Sequence, residues 1–211
     1  MNRVFSDINE YYTKKVEKFG ATPAGVDWND EESQHIRFEQ LMNVLSDQEA
    51  PFAINDLGCG YGGMIDFFQE KYHQSFSFVG YDLSQKMIDS ALDKYSALPN
   101  CSFSCIEQMD QVNQSDYTVA SGIFNVRMEH SEKEWLAYIL ETIDQMDASS
   151  SKGFAFNMLT KYSDKERMRD DLYYGDPCFF FDYCKKNFSR NVSLTHDYDL
   201  YEFTIIVRKD R

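Results

Sequence analysis

The chain has 211 residues and a formal net charge of -14, from 21 basic and 35 acidic side chains. Phosphate backbones are bound by clustered Lys and Arg that release counterions, so this balance argues against a nucleic-acid partner. No apolar run is long enough to span a bilayer, and the opening MNRVFSDINEYY lacks the apolar core of a secretory leader, which makes cytoplasm the expected location.

The length suits a single domain over 1–211, in which a helical cap over 1–50 precedes a core over 51–211. Five cysteines, Cys59, Cys101, Cys105, Cys178 and Cys184, include no Cys-x-x-Cys pair, so they read as core residues and no metal site is expected. Nothing in the sequence specifies an oligomeric state.

Phe5, Ile8, Tyr12, Val16 and Phe19 recur at three or four residues and predict one apolar helix face. The run GATPAGVDWN, 20–29, breaks that pattern. Asp30 then offers an N-cap for a helix with Phe38, Leu41, Met42 and Leu45 on one face and Gln34 and Arg37 on another side.

The run PFAINDLGCGYGG, 51–63, reads as a strand, a tight glycine loop and the start of a helix with Met64, Ile65, Phe67 and Phe68 inward. Its glycines allow backbone angles that side chains forbid and let a ligand approach bare backbone. Gly58, Gly60 and Gly63 also fit the dinucleotide fingerprint, which keeps an NAD-dependent oxidoreductase open. Asp56 speaks against that reading: a carboxylate at the loop mouth repels a diphosphate and attracts a cation. S-adenosylmethionine carries an ammonium and a sulfonium, and the spacing of Asp56, Gly58, Gly60 and Gly62 resembles the first motif of the class I S-adenosylmethionine-dependent methyltransferases. Cys59 sits inside this loop, which brings its thiol near the cofactor.

That resemblance implies an α/β fold: a Rossmann-like, doubly wound, seven-stranded sheet with a reversed last strand. It also assigns roles downstream. VGYDLSQKMIDSA, 79–91, is close to the family's second motif, in which Asp82 accepts from the ribose hydroxyls and Leu83 and Met87 pack beside the adenine; both are equally readable as plain core residues. A third strand over 102–105 leads to Glu107 and Gln108, where Glu107 would meet the adenine amino group and Asp110 competes for that contact. The strand after Asp116 runs into Ser121, Gly122 and Asn125, resembling the fourth motif; Ser121 would line the cofactor by backbone and Asn125 would face substrate. The 20–29 run with Gln34 and Arg37 resembles a pre-sheet segment that covers the cofactor. There Trp28 would line the pocket and Arg37 would pair with the cofactor carboxylate, the alternative being a packing Trp and a surface Arg.

Ser131 and Glu134 form a capping box ahead of a helix carrying Trp135, Leu136, Ile139, Leu140 and Ile143. The segment 126–130 before it contains Arg127, Glu129 and His130. A fifth strand over 153–159 and a hairpin over 192–196 and 201–207 complete the sheet, with His196 and Asp197 in the hairpin turn. Between them lies an insert, 160–188, with a second capping-box pattern at Ser163 and Glu166 and an N-cap pair at Asp176 and Pro177. Its aromatic residues read either as a lid or as packing over the sheet.

Methyl transfer from a sulfonium is an in-line displacement in which alignment supplies most of the catalysis. A hydroxyl acceptor profits from a base, and His130 and His196 are the histidines expected on the active edge, whereas His35 and His73 lie in polar helix-end contexts. The expected activity is transfer to a small-molecule oxygen or nitrogen, such as a sugar or secondary metabolite; a cofactor-binding but silent module is the rival class.

Overall fold

A computed structural model describes residues 3–20, 22, 25, 30–46, 50–73 and 75–209. Two helices precede the sheet, α1 (Arg3–Phe19) and α2 (Glu31–Met42), and the Asp30 carboxylate caps α2 by accepting from the Ser33 amide at 2.7 Å. Asp30 thus supplies the acceptor that an open helix end lacks.

The core alternates strand and helix: β1 (Phe52–Leu57), α3 (Met64–Tyr72), β2 (Phe76–Asp82), α4 (Gln85–Tyr95), β3 (Cys101–Cys105), β4 (Ser115–Ala120), α5 (Glu132–Ala148) and β5 (Ser150–Leu159). It ends with α6 (Pro177–Asn187), β6 (Asn191–Thr195) and β7 (Glu202–Arg208). The sheet order is β3-β2-β1-β4-β5-β7-β6, with β7 antiparallel to both neighbours and the other pairs parallel. This is the expected doubly wound sheet with its reversed last strand. Chain order reverses between β1 and β4, and the crevice outside the carboxyl ends at that switch is where such sheets bind ligands.

Side-chain alternation divides the core. Leu57, Ala120, Phe154, Phe156 and Phe203 meet Phe5 and Ile8 of α1, Trp135 and Ile139 of α5, and Phe180 of α6. Ile54, Phe78, Val119, Ala155 and Ile206 pack on the opposite face with Phe38 and Leu41 of α2, Phe68 of α3 and Ile88 of α4. The Ser131–Glu134 capping box forms as expected at the start of α5.

Two expectations are corrected. Phe19 is exposed, because the buried stripe of its helix runs through Val4, Phe5, Ile8 and Val16. The pattern at Ser163 makes no capping box: its hydroxyl donates back to the Thr160 carbonyl at 2.7 Å, and only a short 3-10 turn, Lys165–Arg167, follows. In the insert, α6 serves chiefly as packing, with Phe180 seated against Phe156 and Phe203. Its leading segment instead straps the chain after β4: the Met128 amide donates to the Asp171 carbonyl at 2.9 Å and the Tyr173 amide to the Asn125 carbonyl at 2.8 Å.

Candidate active site

The glycine loop is built by backbone hydrogen bonds and by glycines in conformations that side chains disfavour. The Gly58 and Cys59 amides both donate to the Tyr81 carbonyl, at 2.8 and 3.0 Å, folding the loop back over the end of β2. Gly58, Gly60 and Gly62 have φ of 70°, 54° and 81°, the left-handed region that side chains disfavour. A Cβ on Gly58 would lie 2.3 Å from Ile123 Cγ2, so this glycine also lets the loop touch the segment after β4.

Asp82 closes the other side. Its carboxylate accepts the Gly60 amide at 2.9 Å and the Ser84 amide at 2.8 Å, joining the glycine loop to the start of α4. Burial pushes its carboxyl up to about 6, against the opposing pull of those amides. Asp56 is buried, and burial first and the Asp82 charge second drive its carboxyl well above the ordinary range. None of the described residues hydrogen-bonds its carboxylate. Burial, with Asp82 and Asp56 adding to it, also raises the Cys59 thiol, so it stays protonated and is no nucleophile.

Asp56, Gly58, Cys59, Gly60, Asp82, Leu83, Met87 and Ser121 line one cavity at the β1–β4 switch, together with Gly122 and Ile123. Gly62 lies beneath the loop instead, packed against Tyr95 and Phe103. Gln34, expected in the segment that covers the cofactor, lines the cavity as well, and reasoning from motifs missed Ile8, Asn9 and Tyr12 of α1, Phe38 of α2, and Tyr61, Tyr81, Ile106, Met109 and Tyr138, which add to the wall. The only sequence signal for the helical members was their helix periodicity. α1 is latched over the site by the Thr13 and Ser84 hydroxyls, 2.8 Å apart, and by an ion pair between Glu17 and Lys86.

Other expected residues go elsewhere. Glu107 and Gln108 are exposed, and Gln108 caps the 3-10 turn Met109–Gln111, which turns Ile106 and Met109 into the cavity in their place. Arg37 is buried against β7, its Nε and Nη2 donating to the Glu202 carboxylate at 2.9 and 2.8 Å, and is absent from the cavity wall. Asn125 spends its side-chain oxygen on the Leu159 amide at 3.0 Å, stitching the turn after β4 to β5 instead of facing outward. His196 is exposed beside Tyr162 at the end of β6. β5 and β7 separate that strand from β4, which at about 4.8 Å per strand is roughly 14 Å. His130 is buried, stacked on Trp135, with Nε2 3.2 Å from the Asp7 carboxylate, in a cleft between α1 and residues 128–134. Trp28 lies outside the described residues. No group of three or more metal-ligating side chains occurs among the described residues, and no helix among them is long and apolar enough to cross a membrane.

The lining matches a ligand with a cation, hydroxyls and a flat apolar ring: a buried carboxylate at Asp56, a second at Asp82, and an apolar slot of Leu83, Met87, Ile106 and Met109. The Ser121 hydroxyl oxygen is buried and has no hydrogen-bond partner among the described residues. S-adenosylmethionine has this chemistry.

Known proteins agree. Residues 54–146 match the model of a family described as methyltransferase domain. A putative methyltransferase of Mycobacterium tuberculosis is 49% identical over 159 residues, 75% of this chain and 94% of that protein. A tRNA (guanine-N(7)-)-methyltransferase of Drosophila willistoni is 32% identical over 80 residues, 38% of this chain and 27% of its own length. Among solved structures, magnesium protoporphyrin IX methyltransferase from Synechocystis PCC 6803 with bound S-adenosylmethionine has a TM-score of 0.67 at 15% identity, covering 100% of this chain and 99% of that one. The plantazolicin methyltransferase BpumL, with a substrate analogue and S-adenosylhomocysteine, has a TM-score of 0.59 at 12% identity, covering both chains fully. The two structural likenesses speak for the fold, and the close relative together with the family match speaks for the activity. The dinucleotide reading of the glycine loop therefore falls away, and the chain belongs to the class I S-adenosylmethionine-dependent methyltransferases.

Proposed function

We propose that this methyltransferase acts on a small molecule, at an oxygen or nitrogen atom of the kind found in sugars and secondary metabolites. The observation that carries this reading is the roof: Ile8, Asn9 and Tyr12 of α1 lie in the wall of the cofactor cavity, latched through Thr13 and Ser84. An acceptor must fit beneath or beside that helix, which favours a metabolite over a folded nucleic acid. The charge of -14 points the same way.

Within the cavity, Asp56 would hold the cofactor ammonium, Asp82 the ribose hydroxyls, and Leu83 and Met87 the adenine. Ser121 and Gly122 would lie under the reacting end. When bound, S-adenosylmethionine supplies a methyl group on a positively charged sulfur, open to in-line displacement. The chain's own contribution is alignment and exclusion of water, which α1 provides from above and the segment after β4 from below. For a hydroxyl acceptor, the base we assign is His130, which stands with Asp7 in the separate cleft beside α1 and outside the cofactor cavity, so the acceptor would have to extend into that cleft.

The test is release of S-adenosylhomocysteine from S-adenosylmethionine with a panel of small hydroxyl, amine and carboxylate acceptors, run beside bulk tRNA. Turnover with a small acceptor and none with tRNA is expected. Turnover with tRNA alone overturns the proposal.

A further inference from the structure

The cleft that holds His130 encloses about 810 Å³ between α1 and the segment after β4. It uses a different side of α1 from the cofactor cavity. Ile8, Asn9 and Tyr12 turn to the cavity, whereas Asp7, Tyr11, Lys14, Lys15 and Lys18 turn to the cleft.

Charge is distributed unevenly along this side of the helix. Toward its N-terminal end, Asp7 lies 3.7 Å from Arg3 and 3.2 Å from His130, and Glu10 pairs with Lys14. Across the cleft, Glu134 is spent on the Ser131 amide at 3.1 Å, and Glu129, the fourth lining carboxylate, is exposed. Farther along α1 the lining turns cationic, with Lys15 and Lys18 and no carboxylate between them on that side. The Lys15 ammonium stands 5.4 and 5.5 Å from the ring centroids of Tyr11 and Phe19, so two aromatic faces hold it at the wall. In a chain of net charge -14, three lysines within five positions concentrate scarce positive charge beside the assigned base.

We infer that this cleft takes the acceptor and that the acceptor is an anion, its methylated hydroxyl at His130 and a phosphate or carboxylate group at Lys15 and Lys18. The inference rests on the proposed reading of the enzyme as one that methylates small molecules with His130 as base. Lys15 and Lys18 follow Asp7 by 8 and 11 residues, which at about 1.5 Å per residue is roughly 12–16 Å along the helix. A single sugar ring cannot bridge that distance. The class that fits is elongated: a sugar joined to a nucleoside diphosphate, or a short saccharide chain ending in an acid.

The test is ligand-detected NMR titration of the full chain, saturated with S-adenosylhomocysteine, using uridine diphosphate glucose, uridine diphosphate and glucuronate as anionic probes and uridine as the neutral one. At least one anion should bind at least tenfold more tightly than uridine and should weaken as salt rises. Diphosphate binding without glucuronate binding assigns the group to phosphate, and the reverse assigns it to carboxylate. Lys15→Glu/Lys18→Glu should weaken the bound anion about tenfold or more, and Lys15→Gln/Lys18→Gln by less. Affinity for S-adenosylhomocysteine should stay within about twofold in both variants, which reports an intact fold. Lys185→Glu/Lys186→Glu on α6 makes the same change in net charge away from the cleft and should bind the anion as the natural chain does.

No anion binding, uridine binding equal to that of the anions, or an equal loss in the α6 variant would overturn the inference. Turnover of acceptors separates it from the reading beneath it. If neutral small hydroxyl compounds are methylated and Lys15→Glu/Lys18→Glu leaves their kcat/KM unchanged, the small-molecule reading stands and the anionic acceptor fails. If tRNA alone is methylated, and the same variant abolishes it, the lysines serve a nucleic acid and both fail.

Discussion

The guanidinium of Arg37 grips the carboxylate of Glu202 through two hydrogen bonds, 2.9 and 2.8 Å long, tying α2 to β7 across 165 positions of sequence. Both side chains are buried. Removing one partner leaves an uncompensated charge in a medium that solvates it poorly, so Glu202→Gln is expected to cost about 3 kcal/mol in urea denaturation. The double variant Arg37→Met/Glu202→Leu, which leaves no charge behind, should be the more stable of the two; the reverse ranking would contradict this account.

Asp82 should make stability depend on pH. Its carboxyl rises from 3.8 to about 6 on folding, so the folded chain binds the proton more tightly than the unfolded one. The contribution is fully present below about pH 4 and is lost as pH rises through about 6. Partial exposure of the side chain holds the loss to roughly 1–3 kcal/mol. Denaturation of the cofactor-free protein at pH 4.5 and 7 should show this slope reduced in Asp82→Asn; an unchanged slope would assign it to other groups.

Gly58→Ala should be costly on two counts. The residue has a φ of 70°, and its new Cβ would fall 2.3 Å from Ile123 Cγ2. Thermal unfolding is expected to report about 1–3 kcal/mol. Adding Ile123→Ala relieves the contact and leaves the backbone cost, so partial recovery is expected, and full recovery would show that φ carries no penalty here.

The Thr13–Ser84 hydrogen bond holds the roof down. Ser84→Ala removes one neutral hydrogen bond, about 1 kcal/mol, so S-adenosylhomocysteine should dissociate roughly fivefold faster in stopped-flow measurements with little change in global stability. An unchanged rate would mean that α1 is not the gate.

Local physics was legible in the linear chain. The Asp30 cap, the Ser131–Glu134 capping box, the Asp176–Pro177 helix start and the strand, glycine loop and helix of 52–72 each depend on residues a few positions apart. Such signals act before any long-range contact forms, and with the family motifs they located Asp56, Gly58, Asp82, Leu83, Met87 and Ser121 in one cavity.

What the chain order could not carry was lateral position and choice of partner. His196 stands at the carboxyl edge as expected, but the insertion of β7 between β5 and β6 puts two strands between it and β4. Arg37 finds Glu202, Asn125 finds Leu159, and Asn157 finds Gly122, each partner at least 34 residues away. A buried polar group must be satisfied by whatever donor or acceptor the packing brings to it. The sequence by itself determined the elements and the class of cofactor, because both follow from short-range patterns; the tertiary structure decided which polar side chains were consumed in holding the sheet and which remained for a ligand.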